Sequence, residues 1–124
     1  FKKAPPLGDK RIKSVFVMPP AMGQGFPAKE NFKEVSAPVY IVVTAKDAIA
    51  PPKTNAEHYA KLIAKSQYKI LDSDAGHYVF LNEAKDGLKQ EAPLFFNDTP
   101  GVNRKASHEQ ALRLATVHFR KTLK

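Results

Sequence analysis

Three stretches of the chain are apolar in the way strands are, and two are apolar at helical spacing. Residues 12–18, "IKSVFVM", contain a continuous apolar run from Val15 to Met18, which predicts a strand buried on both faces. Residues 38–44, "PVYIVVT", are dominated by β-branched side chains with proline only at the start, and form the clearest strand pattern in the chain. Residues 68–71, "YKIL", predict a third strand. Between the second and third, Ala56, Tyr59, Ala60 and Ile63 fall at i, i+3, i+4 and i+7, one helical stripe. "TNAE" at Thr54–Glu57 reads as the capping box that opens this helix. A second capping box, "SHEQ" at Ser107–Gln110, would open a terminal helix with the stripe Ala111, Leu112, Ala115, Phe119 and Leu123.

Polar, proline-punctuated segments join these elements. "PPAMGQGFPAKENF" reads as a long loop after the first strand, and residues 82–106 as a second. The order is strand, loop, strand, helix, strand, long loop, helix. This predicts an α/β fold whose buried strands run parallel with helices on both faces. Three strands and two helices are few for such a sheet. The expectation is therefore a partial domain over 1–124, the second half of a larger sheet.

Composition narrows the classes. A 43% apolar and 26% charged chain of 124 residues is ordinary for one globular core. No run of about 18 apolar residues occurs, so no membrane span is expected. The first residues, "FKKAPPLGDKR", carry no apolar stretch of signal-peptide kind, and the compartment stays open between cytoplasm and periplasm or exterior. Without cysteine, these residues supply no disulfide, thiolate ligand or thiol nucleophile. The net charge is +8, but the lysines are spread along the chain without aromatic interleaving, so a solvated surface is expected and no nucleic-acid partner.

Candidate chemistry lies where the second and third strands end. In an open α/β sheet ligands gather at the carboxyl ends of the strands. "TAKDAIAPP" follows the second strand and carries Asp47; "DSDAGHYVF" follows the third and carries His77. Parallel strands side by side would bring these two together. An acid that fixes an imidazole tautomer, and an imidazole that takes a proton from a nucleophile, are two members of a catalytic triad. The spacing equally suits an Asp47 that caps a loop and a structural His77. Gly76 is expected to let the backbone turn tightly before His77. A nucleophile elbow reads G-x-S-x-G. Ser14, Ser36, Ser66, Ser73 and Ser107 all lack those flanking glycines.

The runs "RIKSVFVMPPAMGQGF", "PVYIVVTAKDAIAPPKTNAEHYA" and "AGHYVFLNE" together resemble the C-terminal half of an α/β-hydrolase. They are most similar to bacterial predicted dienelactone hydrolases related to platelet-activating-factor acetylhydrolases. The resemblance covers the chain from about Asp9 to the terminal helix. It implies that Asp47 is the triad acid after the family's seventh strand and His77 the base after its eighth. It implies hydrolysis of a small carboxylic ester or lactone, with no metal or organic cofactor. The serine or cysteine nucleophile and the oxyanion hole would belong to an absent first half, leaving the 124-residue piece inactive alone. That half, or a second copy of the chain, would pair along the exposed edge of the first strand. Met22 and Phe26 in the loop after the first strand, with Ile49 and Tyr78, are candidates to line an acyl pocket. Packing on the core is the other role open to Met22, Phe26 and Tyr78.

Two alternatives remain. One is a binding or structural module that keeps a hydrolase-like half-sheet without chemistry. The other is a nucleotide-binding domain, since "GQGFPA" fits the loose fingerprint G-x-G-x-x-[GA] with Asp47 about twenty residues on. Against the latter, "PPAM" separates the glycines from the strand, and Pro27 falls where a helix should run. "HEQAL" has Leu112 where a zinc motif needs histidine. His58 is expected at the surface and His118 as a packing neighbour, and "NDT" at Asn97–Thr99 is a sequon by pattern only.

Overall fold

The computed structural model describes residues 9–124, so the first eight residues of the expected 1–124 domain lie outside it. Three parallel strands form one sheet in the order β1 (Val15–Val17), β2 (Val39–Thr44), β3 (Ser66–Leu71). β2 is central. Its side chains alternate between two faces, as strand geometry requires. Val39, Ile41 and Val43 enter one apolar cluster with Ala56 and Tyr59; Val42 enters another with Leu71 and Ala111. Helix α1 (Ala56–Leu62) covers the first face and helix α4 (Arg104–Thr122) the second. This is the mixed α/β arrangement that continuous apolar strands predict, with a helix on each side of the sheet.

Local details depart from expectation. β1 is only three residues long and half-buried, not a strand buried on both faces, and Met18 is exposed. Among the described residues β1 pairs only with β2, so its outer edge has no strand beside it. The capping box at Thr54–Glu57 does not form. Thr54 ends a 3-10 turn over Pro52–Thr54 and its hydroxyl donates to the Pro51 carbonyl, while Glu57 pairs with Lys61 at 2.7 Å. Residues 82–106 are not one loop: they contain the short helices α2 (Asp86–Glu91) and α3 (Pro93–Phe96).

The terminal helix starts a turn earlier than the second capping box suggests. Asn103 is its N-cap, and the side-chain oxygen accepts the Ala106 amide at 2.9 Å. Its buried face also differs from the expected stripe. Of that stripe Ala111 is buried, but Leu112 and Leu123 are exposed, and Arg104, Ser107 and His118 are buried instead. The inward side of the first turns is polar because it meets loop backbone rather than apolar side chains.

The loop after β1 contains two 3-10 turns, Gly23–Gly25 and Lys29–Phe32. It is pinned to the start of α1. The Tyr59 hydroxyl donates to the Ala21 carbonyl at 2.7 Å, and the Gly23 amide donates to the Asn55 side-chain oxygen at 3.0 Å. Glycine is required at position 23, since a Cβ there would fall on the Thr54 carbonyl oxygen.

Candidate functional site

The strand register creates the site. Thr44 and Leu71, the last residues of β2 and β3, are direct partners. The two chains therefore leave the sheet side by side, Asp47 three residues after one and His77 six after the other. Their side chains meet: His77 Nδ1 donates to Asp47 Oδ2 at 2.8 Å. Thr44, fully buried, ties the loops together by donating its hydroxyl to the Gly76 carbonyl at 3.4 Å.

Asp47 is held from below. Its side chain is 0% exposed, and Oδ1 accepts the Ile49 amide at 3.1 Å and the Ala50 amide at 2.7 Å. A buried carboxylate is tolerable only when its lone pairs are used, and here backbone amides and an imidazole use them. Because the carboxylate is acceptor-only when ionised, the proton in the 2.8 Å contact sits on His77 Nδ1. Nε2 of neutral His77 is then an acceptor. It has no hydrogen-bond partner among the described residues, and the side chain is 17% exposed. The pair thus presents one basic nitrogen outward, with its tautomer fixed from behind.

His77 opens a 3-10 turn, His77–Phe80, whose Val79 is buried. Gly76 does not make the tight turn expected of it. Its φ is −87°, and a Cβ there would meet nothing within 4 Å. The turn is set by what packs around it. The Tyr78 ring meets the His77 ring edge-on at 5.0 Å and the Phe95 ring at 4.6 Å.

The four candidate pocket residues fall into separate surroundings. Phe26 packs its ring against Phe32 and Tyr59, and its carbonyl accepts from His58 Nε2 at 2.9 Å. Tyr78 sits between His77 and Phe95. Ile49 is exposed beside the amides that hold Asp47. Met22 is 76% exposed and holds a left-handed backbone, φ 61°, between the anchors at Ala21 and Gly23. A side chain other than glycine in that region stores roughly 1–2 kcal/mol, maintained here by the two anchors.

Several other motifs separate from this site. Gly23–Gly25 forms a 3-10 turn, and the segment after Ala28 is another single 3-10 turn rather than the helix a pyrophosphate requires. His118 is a packing residue: buried beside Phe16, Tyr40 and Phe119, with Nε2 2.8 Å from the Ser14 hydroxyl. That serine precedes β1, at the amino end of the sheet, opposite His77. No serine among the described residues bonds to His77. No group of three His, Asp or Glu side chains among them is placed to hold a metal ion, and no described helix is long and apolar enough to cross a membrane.

Sequence reasoning missed the residues that hold the His77 turn. Arg104 and His108, one turn apart on α4, donate to the carbonyls of Tyr78, Leu81 and Val79. Gln110 accepts the Asp72 amide at 3.1 Å, and Ser107 meets Ser73 at 3.1 Å. An earlier helix start, readable from Asn103 as an N-cap, would have placed all four on one face. Compared with known proteins, the chain matches no family model, no curated protein and no solved structure.

Proposed function

We propose that the chain supplies the acid and base of a catalytic triad in a serine- or cysteine-type hydrolase of carboxylic esters or lactones. The nucleophile would come from a segment outside these 124 residues, as the resemblance to the C-terminal half of an α/β-hydrolase implies. One observation carries the proposal: a fully buried carboxylate fixes Nδ1–H of His77 at 2.8 Å, with no partner for Nε2 among the described residues, at the carboxyl ends of adjacent parallel strands.

The chemistry is acyl transfer. The nucleophile attacks the ester carbonyl as Nε2 of His77 takes its proton. Asp47 stabilises the imidazolium without accepting the proton. The imidazolium then protonates the leaving alcohol, and a water activated by the same nitrogen releases the acid. Oxyanion donors, each worth about 3–4 kcal/mol, would lie outside these residues.

Among the described residues the outer edge of β1 has no strand beside it, which supports a partner within the same fold. Beside it lies an open apolar hollow of about 200 Å³ lined by Val17, Pro20, Phe32, Val39, Ile41, Tyr59 and Ile63. A further strand and its connection, from the nucleophile-bearing half or from a second copy, would cover both. The test is hydrolysis of p-nitrophenyl acetate. The isolated chain is expected to give no turnover. Turnover by the isolated chain that is lost in His77→Ala would overturn the assignment of the nucleophile to another segment.

A further inference from the structure

The His77 turn rests on the core through Val79 and Phe80, the latter packed against the cluster of Val42, Leu71 and Ala111. Of its residues only Val79 is buried. Gly76 lies beyond the end of β3, and His77 opens a single 3-10 turn whose Val79 amide donates to the Gly76 carbonyl at 3.3 Å. Yet the 2.8 Å contact to Asp47 needs the imidazole held to a fraction of an ångström. Polar groups on α4 add a second hold, on the backbone of the turn.

Arg104 is the centre of that arrangement. A guanidinium has five N–H donors in a fixed fork, and here every one is used. Nε donates to Asp98 Oδ2 at 2.8 Å; Nη2 donates to Asp98 Oδ1 at 2.9 Å and to the Phe95 carbonyl at 3.1 Å. Nη1 donates to the Tyr78 and Leu81 carbonyls, both at 3.0 Å. The side chain is 7% exposed. One turn along the helix, His108 Nε2 donates to the Val79 carbonyl at 2.6 Å. Three of the five carbonyls from His77 to Leu81 are thus held by two side chains of α4. The bidentate Asp98 fixes the plane of the fork, and the Phe95 carbonyl brings α3 to the same point. Tyr78, whose ring edges against both His77 and Phe95, lies between the clamp and the imidazole.

We infer that Arg104 and His108 are positioning residues for His77, locking the backbone of its turn to α4 so that the imidazole stays on Asp47. Neither side chain reaches the Asp47–His77 pair itself; each acts through backbone carbonyls. The inference deepens the proposed triad and takes its functional meaning from it. Lysine cannot replace Arg104, since one ammonium cannot span Asp98, Phe95, Tyr78 and Leu81 together.

The experiment is NMR on the uniformly ¹⁵N-labelled 124-residue chain. The readout is solvent exchange of the His77 Nδ1 proton, assigned by its loss in His77→Gln. In the wild type this proton is protected by Asp47. Arg104→Met, which keeps much of the stem's volume, removes two bonds to the turn and is expected to speed exchange about tenfold or more. Arg104→Lys is expected to speed it nearly as much. His108→Phe removes one bond, is the milder change should the Arg104 variants not fold, and is expected to speed exchange by a smaller factor. His118→Ala loosens the far end of the same helix, where it packs on Phe16 and Tyr40, away from the turn. It is expected to lower the unfolding midpoint and leave the exchange unchanged. Unchanged exchange in any folded Arg104 or His108 variant, or equal acceleration in His118→Ala, would overturn the inference. The readout does not depend on turnover. If exchange responds as expected while any longer polypeptide that contains the chain lacks esterase activity, the clamp stands and the triad falls.

Discussion

Asp47→Asn separates the triad geometry from a merely structural histidine. The carboxylate accepts three hydrogen bonds, two at Oδ1 from the Ile49 and Ala50 amides and one at Oδ2 from His77. Asparagine offers one acceptor oxygen and one amino group. The two backbone amides demand the oxygen, because the reverse orientation would set donors against donors in a fully buried place. The amino group then faces His77, and Nδ1 must become the acceptor. The neutral ring moves its proton to Nε2, where it can no longer take one from a nucleophile. Three charge-assisted bonds become neutral ones, each weaker by about 1 kcal/mol. Relief of the buried charge acts in the opposite sense. The net loss of stability is about 1–2 kcal/mol, read from the urea midpoint. Inversion of this tautomer lowers turnover by about 10⁴ in triad enzymes, about 5 kcal/mol of transition-state stabilisation. Long-range ¹H–¹⁵N correlations report the tautomer directly. The wild type is expected as Nδ1–H and Asp47→Asn as Nε2–H. A variant that stays Nδ1–H would refute the reasoning, because something other than Asp47 would then be setting the imidazole.

Gly23→Ala is expected to destabilise by about 1–3 kcal/mol, since its Cβ would strike the Thr54 backbone. Gly76→Ala should change the unfolding free energy of this chain by no more than about 0.5 kcal/mol, the reverse of what its place before His77 suggests. Burial pushes the Tyr59 hydroxyl above the ordinary tyrosine range. A pKa raised on folding gives stability that is complete below the unfolded value, about 10, and lost as pH rises through the folded one. Spectrophotometric titration should therefore show a late tyrosine ionisation above the ordinary range, with stability falling at that alkaline step. Tyr59→Phe should remove the late step. Sedimentation at micromolar concentration should show self-association through the β1 edge, and a monodisperse monomer would mean that the edge is already covered.

The sheet was legible because β1 is apolar throughout and β-branched residues crowd β2, whereas β3 (SQYKIL) starts two residues before the expected strand and is mostly exposed rather than buried. The Asp47–His77 pairing was legible from topology alone: parallel neighbours end together, so residues a few positions beyond their ends must meet. What stayed hidden was held by polar contacts with no periodic signature. The clamp on Arg104 depends on Asp98 and on carbonyls of Tyr78, Leu81 and Phe95, and no residue pattern announces a carbonyl. The buried face of α4 misled for the same reason. Its first turns bury Arg104 against loop carbonyls and Ser107 against the Ser73 hydroxyl, whereas a periodicity search looks for leucine and finds the exposed Leu112. Gly76 misled differently: glycine before a candidate histidine suggests a special backbone angle, and the backbone there is one that any residue adopts.

The most direct test compares p-nitrophenyl acetate hydrolysis by the 124-residue chain and by any longer polypeptide that contains it, each with and without His77→Ala. Turnover only in the longer polypeptide, abolished by His77→Ala, is the expected result. Turnover by the longer polypeptide that survives His77→Ala would contradict the assignment of Asp47 and His77 as its acid and base.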